Sequence, residues 1–357
     1  SPRLALCVAL TVNLSPASCL TTEVTSLPLT LFRPHASIKS AHHTARVSMK
    51  IDEDLSQLSV ERDSALTIGV FDGVHRGHIH LIRRLISEAK RAGMLSGVVT
   101  FRNHPKTVLR PDFKTNYISD LDERIRLLKE HGIDFVVPVT FDRDLAQLSS
   151  ERFLDKLSSQ LRMKSLIVGP DFAMGHKRDG TLETIPLLGE KLGFTFKSVD
   201  LLKDRDDPVK STVIRNLIAE GSVESVAQML GRNFSATGTV VDGLKRGRTL
   251  GFPTANLEIP NGYAAPGDGI YATWAYLESG RYMAATSIGT RPTFTEGGRT
   301  IEAYLLDFSD DIYGQTLRLE FVKRLREEEK FDGVDALLTQ INKDVQQTRD
   351  LLTTDSV

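Results

Sequence analysis

Thr67-Ile-Gly-Val-Phe-Asp-Gly-Val-His-Arg-Gly-His78 decides the reading of the N-terminal half. An apolar run, Ala65–Val70, reads as a buried strand. Phe71-Asp-Gly-Val turns the chain, and His75-Arg-Gly-His78 opens an amphipathic helix, His78–Ala92. A helix that starts at the carboxyl end of a strand presents unpaired N–H groups and a positive dipole to an anion. Gly73 and Gly77 let the backbone approach that anion without a Cβ in the way. His75 and His78 are three residues apart, so both can face one side of the first turn. There they can donate to charge developing at a phosphorus. The competing reading is two histidines capping a helix on a solvated turn.

Outward from this stretch, short apolar runs alternate with amphipathic ones. Gly97–Phe101, Phe135–Val139, Ser165–Val168 and Phe194–Val199 read as strands; Asp120–His131, Ser150–Leu161 and Leu182–Leu192 read as helices. Apolar strands separated by helices predict a parallel sheet covered on both faces. Helices Thr212–Glu220 and Val223–Leu230 follow. From Phe234 the texture changes to Ser235–Val241, Gly269–Leu277, Tyr282–Ile288, Thr300–Leu306 and Leu317–Lys323, parted by Gly, Pro and Asp turns. Closely spaced strands without helices predict an antiparallel barrel or sandwich, closed by a helix near Val334–Leu351. A domain boundary is expected near Gly231, giving an N-terminal extension at 1–49, a first domain at 50–230 and a second at 231–357.

The formal net charge of -1 argues against an extended nucleic-acid surface. No apolar run past residue 50 approaches the roughly 20 residues that a membrane helix requires. Both cysteines, Cys7 and Cys19, precede residue 20, so the rest has no thiolate chemistry. All nine histidines lie at or before His176, so a general base in the second half is expected to be a carboxylate. Residues 1–48 hold one acid, Glu23, and many hydroxyls. Three readings stay open for them: a translated upstream region with Met49 as the start, a targeting segment, or a disordered tail.

A second signature lies at Gly238-Thr-Val-Val-Asp-Gly-Leu-Lys-Arg-Gly-Arg-Thr-Leu-Gly-Phe-Pro-Thr-Ala-Asn256. Gly238, Gly243, Gly247 and Gly251, with Lys245, Arg246 and Arg248 between them, suit a loop wrapped on a polyphosphate. Thr254 and Asn256 after Pro253 offer hard oxygen ligands for Mg²⁺. Glu302 is a candidate base, or else a surface charge on an alternating strand. Arg326 and Phe331 belong to a charged run that either is simply solvated or faces a ligand. In the first half, Gly169–Gly180 follows a strand and ends in a basic loop. Ser211-Thr-Val-Ile-Arg215 opens a helix with groups suited to phosphates, or with plain N-capping residues.

Several motifs in one order, GVFDGVHRGH (69–78), VTFRNHP (99–105), VGPDFAMGHKRDG (168–180), STVIR (211–215), GTVVDGLKRGRTLGFPTANL (238–257), IGTRPTF (288–294), IEAYLLDF (301–308) and LREEEKF (325–331), resemble the prokaryotic bifunctional riboflavin kinase/FMN adenylyltransferase (FAD synthetase) family. The resemblance spans about Leu66 to Leu351. It implies a Rossmann-like α/β nucleotidyltransferase domain followed by a six-stranded antiparallel riboflavin kinase barrel with a C-terminal helix. The barrel is expected to phosphorylate riboflavin with ATP, and the first domain to adenylylate FMN to FAD, releasing pyrophosphate. The resemblance places ATP of the first site on Gly69, Phe71, Asp72, Gly73, His75, His78, Asp171, Ser211, Thr212 and Arg215. It places kinase ligands on Gly238, Gly243, Lys245, Gly247, Arg248, Gly251, Pro253, Thr254, Asn256 and Arg326. It gives Mg²⁺ to Thr254 and Asn256, and the role of base to Glu302. Asn103, Met174, Lys210 and Ser287 stand where the family usually shows Pro, Phe, Ser and Asn. Two other readings remain: a kinase with an impaired adenylyltransferase, and a non-catalytic flavin or nucleotide sensor. The expected partners are riboflavin, FMN and ATP, in the cytoplasm unless residues 1–48 are a transit segment. The sequence says nothing of self-association.

Overall fold

The strand–turn–helix read at Thr67–His78 forms the centre of the first half. In the computed structural model, which describes residues 49–200, 202–204, 207–243, 247, 250–290 and 299–354, β1 (Ser64–Ile68) is the middle of five parallel strands. The order is β3 (Phe135–Val139), β2 (Leu95–Phe101), β1, β4 (Met163–Val168), β5 (Thr195–Ser198). All five residues of β1 are buried. That explains its unbroken apolar pattern. Gly97 lets the strands close up, since a Cβ there would meet the Phe135 ring at 2.4 Å and Leu66 at 2.5 Å.

The covering helices follow from spacing and caps. α1 (Lys50–Ser56) packs near β3, and α2 (Arg76–Arg91) covers β1 and β2 with Ile79, Ile82, Leu85 and Ala89. Burying each of the larger side chains contributes roughly 1.5–3 kcal/mol. α3 (Pro105–Leu109) starts at His104, whose side chain accepts from Lys106 N. α4 (Leu121–Glu130) is capped by Asp120, and α6 (Ser150–Gln160) by Ser149. The short α5 (Arg143–Gln147) is capped by Asp142. α7 (Ile185–Leu192) ends at Gly193, and a small hairpin, β6 (Lys203–Asp204) and β7 (Asp207–Pro208), leads to α8 (Ser211–Glu220) and α9 (Val223–Leu230). Gly221 and Gly231 end these two helices at φ 79° and 77°.

The second half is a closed antiparallel barrel. Its strands are β8 (Phe234–Val241), β9 (Ala255–Glu258), β10 (Gly269–Leu277), β11 (Gly280–Thr290), β12 (Arg299–Leu305) and β13 (Thr316–Arg326). The order around it is β10-β11-β12-β9-β8-β13. β9 was not among the strands expected from sequence. The last helix, α10 (Val334–Thr354), packs on β10 and β11, where Trp274 lies buried with Leu352. Ile214, Ile218, Val223, Val226 and Leu230 of α8 and α9 share one core with the barrel. The helix carrying Ser211 and Arg215 is therefore anchored to the barrel by its apolar face. The expected N-terminal extension, except for its last residue, and the cations Lys245, Arg246 and Arg248 lie outside the described residues. No described helix is long and apolar enough to cross a membrane.

Candidate functional sites

Between β1 and α2 the backbone is forced into an uncommon shape. Phe71, Gly73 and Val74 have φ 50°, 75° and 38°. For Phe71 and the β-branched Val74 this costs of order 1–3 kcal/mol each. Glycine is needed at position 73, where a Cβ would meet Ile118 at 2.6 Å. Asp72 locks the turn from beneath. It is 2 % exposed, and its carboxylate accepts from Ile118 N at 2.9 Å, Ser119 N at 3.2 Å and Arg215 Nη2 at 2.5 Å. Ser211 donates its hydroxyl to Asp72 O at 3.3 Å rather than capping its own helix. The N-termini of α2 and α8 thus meet at one turn, with Thr212 exposed in the first turn of α8.

His75 is the N-cap of α2, and its Nδ1 accepts from His78 N at 3.3 Å. The two imidazoles stack with centroids 3.6 Å apart, and Phe71 packs edge-on to His78 at 5.1 Å. His78 Nδ1 is buried without a hydrogen-bond partner. Burial, then the charges of Arg215 and Arg232, holds His75 down at about 4. Burial, then His75 and Arg124, holds His78 well below its ordinary value. Burial, then Lys106 and Arg215, lowers His104 to about 4. All three rings are neutral at pH 7, so each carries one N–H and one bare nitrogen.

An unfolded histidine titrates near 6.5. Because the folded values are lower, their contribution to stability is complete above about pH 6.5. It is lost as pH falls towards 4. The melting temperature is expected to be level above about pH 7 and to fall steeply below about 6.5. His75→Asn keeps a capping acceptor and should make the fall shallower. A wild-type curve without that fall would contradict the assignment.

Beyond the turn, a cavity of about 660 Å³ opens at the carboxyl ends of the parallel strands. Gly69 and Val70 form its floor; Phe101, Phe141, Phe172 and Met174 give apolar walls; Lys106, Arg110, Lys177 and Arg178 also line it. Asp171 stands on this wall and pairs with Lys210 at 3.6 Å. Asn103 ties the ends of β2 and β3 together, donating to Phe141 O at 2.8 Å and accepting from Phe141 N at 3.0 Å. Met174 joins Gly180 through two backbone bonds of 2.9 Å. These three departures from the family pattern have structural partners.

In the barrel, Ser287, Glu302 and Asn256 stand directly opposite one another on β11, β12 and β9. Cross-strand partners project to the same face. Thr254 donates to Glu302 Oε2 at 3.3 Å. Gly243 closes on Asn256, whose amide nitrogen would lie 2.2 Å from a Cβ there. Two cavities meet at Thr254. One, about 290 Å³, lies under α10 and is lined by Ser287, Glu302, Tyr304, Arg326, Phe331 and Ile341, with Gly247 at its edge. The other, about 260 Å³, is lined by Pro253, Asn256, Phe308 and Tyr313. Arg326 clamps α10, with Nη2 to Asp344 Oδ2 at 2.8 Å and Nε to Oδ1 at 3.0 Å. Burial, then Asp268, raises the carboxyl of Glu328, which lines the same cavity.

Gly238 stands apart from both cavities and packs on Glu258 O in the β8–β9 pair. Gly251 turns the chain at φ 85°. Lys245 and Arg248 are outside the described residues. Sequence reasoning missed Phe172, the α10 side chains under which the first barrel cavity lies, and Arg124. For Arg124 a signal existed: it is a charge on the apolar face of α4, in register with Leu127 and Leu128.

A family model described as FAD synthetase matches residues 57–213, and one described as Riboflavin kinase matches residues 230–352. The Bacillus subtilis (strain 168) protein described as bifunctional riboflavin kinase/FMN adenylyltransferase is 36% identical over 289 residues, covering 80% of this chain and 91% of its own length. The Escherichia coli (strain K12) protein of the same description is 34% identical over 300 residues, covering 83% and 96%. A crystal structure from Streptococcus pneumoniae, described as a macrolide-efflux protein, superposes with a TM-score of 0.77 at 30% identity, covering 84% of this chain and 97% of that one.

Proposed function

The chain belongs to the bifunctional riboflavin kinase/FMN adenylyltransferase family, and from that premise we propose how its residues divide two reactions. The barrel half phosphorylates riboflavin with ATP to give FMN. The α/β half joins FMN to the adenylyl part of a second ATP, releasing pyrophosphate and FAD. We place the working boundary at Gly231, between domains 50–230 and 231–357.

In the kinase, the cavity under α10 takes the flavin ring, and the cavity by Pro253 and Tyr313 takes ATP. Thr254 on the wall of both is the observation that carries this reading. Glu302 accepts the proton of the ribityl hydroxyl as that oxygen attacks the γ-phosphorus and ADP leaves. The oxygens of Thr254 and Asn256 are hard donors that suit Mg²⁺, which when bound would neutralise charge on the β- and γ-phosphates. Gly243 and Gly247 bring backbone without a Cβ close to that site, and the same stretch of sequence supplies the cations Lys245 and Arg248. Arg326 acts by holding α10 over the flavin.

In the adenylyltransferase, the triphosphate lies against the α2 and α8 N-termini. His75, His78, Ser211, Thr212 and Arg215 hold it; Gly69, Phe71, Asp72 and Gly73 shape the turn. The apolar cavity beside Asp171 takes FMN. An FMN phosphate oxygen bonds to the α-phosphorus while its bond to the β-phosphate oxygen breaks. The neutral histidines donate to the charge that builds up, so no protein nucleophile is required. ATP as donor in both steps supports a cytoplasmic location.

A chromatographic time course with riboflavin, ATP and Mg²⁺ tests the pairing. FMN should rise and then give way to FAD. FMN that reaches a plateau with no FAD would remove the adenylyltransferase half of the reading.

A further inference from the structure

We propose that Arg124 is a positioning residue for adenylyl transfer, supplying from below the positive charge that the ATP triphosphate meets at the β1–α2 turn. This rests on the assignment of the triphosphate to that turn. Arg124 is 2 % exposed, on the face of α4 that also buries Leu127 and Leu128. Its Nη1 donates to Phe101 O at 3.0 Å and to Thr100 Oγ1 at 3.4 Å. The Thr100 hydroxyl in turn donates to Val70 O at 3.0 Å, inside the phosphate turn. The guanidinium carbon lies 5.8 Å from the centre of the Tyr117 ring. Nε has no acceptor.

No carboxylate among the described residues forms an ion pair with it. Asp72 is the acid whose charge acts on it most, but Asp72 is already engaged by Arg215 and two backbone amides. Two guanidiniums therefore share one carboxylate beneath the turn, leaving one buried positive charge without a counter-ion. A buried unpaired charge is strongly unfavourable, and a hydrocarbon side chain at this position of the helix would pack without that cost. The excess charge becomes favourable once an anion occupies the turn above it. The same charge opposes protonation of His78, keeping that ring a donor.

Arg124→Met and Arg124→Lys separate charge from packing. FMN, ATP and Mg²⁺ are supplied, and FAD formation is followed against ATP concentration, with FMN formation from riboflavin as the internal reference. Arg124→Met is expected to raise the KM for ATP in FAD formation roughly tenfold. It should leave FMN formation at the wild-type rate and melt no lower than wild type without nucleotide. Arg124→Lys should recover most of the KM. A wild-type KM for ATP in Arg124→Met overturns the proposal. So does an equal rise in both variants accompanied by lower melting temperatures, which is the signature of a merely structural residue. Absence of FAD formation by the wild-type protein would instead defeat the placement of ATP at this turn.

Discussion

Glu302→Ala is expected to lower FMN formation from riboflavin by about 10²–10⁴-fold, the usual contribution of a positioned general base. Supplied FMN should still be converted to FAD within about twofold of the wild-type rate, because changes at separate sites act independently. The strands explain why the effect should be confined. Glu302 is held on β12 between Ser287 of β11 and Asn256 of β9, and the barrel closes around it. Removing its carboxylate takes away the acceptor of the Thr254 hydroxyl and no ladder hydrogen bond. Glu302→Gln keeps an oxygen for Thr254 but cannot accept the substrate proton, so it should be almost as inactive as Glu302→Ala. A Gln variant near wild-type activity would reassign Glu302 to positioning. Initial rates of FMN and FAD formation, measured separately by chromatography, decide it.

The parallel sheet was legible because a strand buried on both faces cannot alternate; Ala65–Val70 reads as continuous apolar sequence for the reason that all of β1 is buried. β9 was illegible for the opposite reason. Ala-Asn-Leu-Glu has little intrinsic strand preference, and it is a strand because Val241 and Glu302 pair with Asn256 from either side. Motifs singled out His75, His78 and Glu302, and local spacing correctly put His75 and His78 at the start of one helix. What spacing could not show was commitment over long separations. Asp72 meets Ile118, Ser119 and Arg215 only after folding, and Arg326, in a charged run that reads as solvated, finds Asp344 on α10. Arg124 stands between these cases: its burial is hinted at by periodicity, but its lack of an ionic partner is a fact of the tertiary structure.

The reverse separation is expected at the other site. His78→Ala should reduce FAD formation from FMN by about 10²–10³-fold, the loss typical of one preorganised donor, while FMN formation from riboflavin is retained. His78 is the better single probe because its side chain accepts no capping bond, whereas His75 is the N-cap of α2. His75→Ala combines a lost donor with about 1 kcal/mol of lost capping. His75→Asn separates the two by restoring the cap without the imidazole. The stacked pair also fixes the direction of the pH effect. Each ring is neutral when folded, so FAD formation by the folded enzyme should stay level well below the ordinary histidine value of about 6.5 and decline only as His75 protonates near about 4. Protonation of His75 would add a charge beside those of Arg215 and Arg232. The separation matters as much as the size. α8 carries Ser211 and Arg215 to the turn but buries Ile214 and Ile218 in the barrel core, so a collapse of the first site by misfolding would be felt in the second. Loss of both activities in a His78→Ala protein of unchanged melting temperature would sink the two-site division. Loss of FAD formation alone would tie the donor role to the ring.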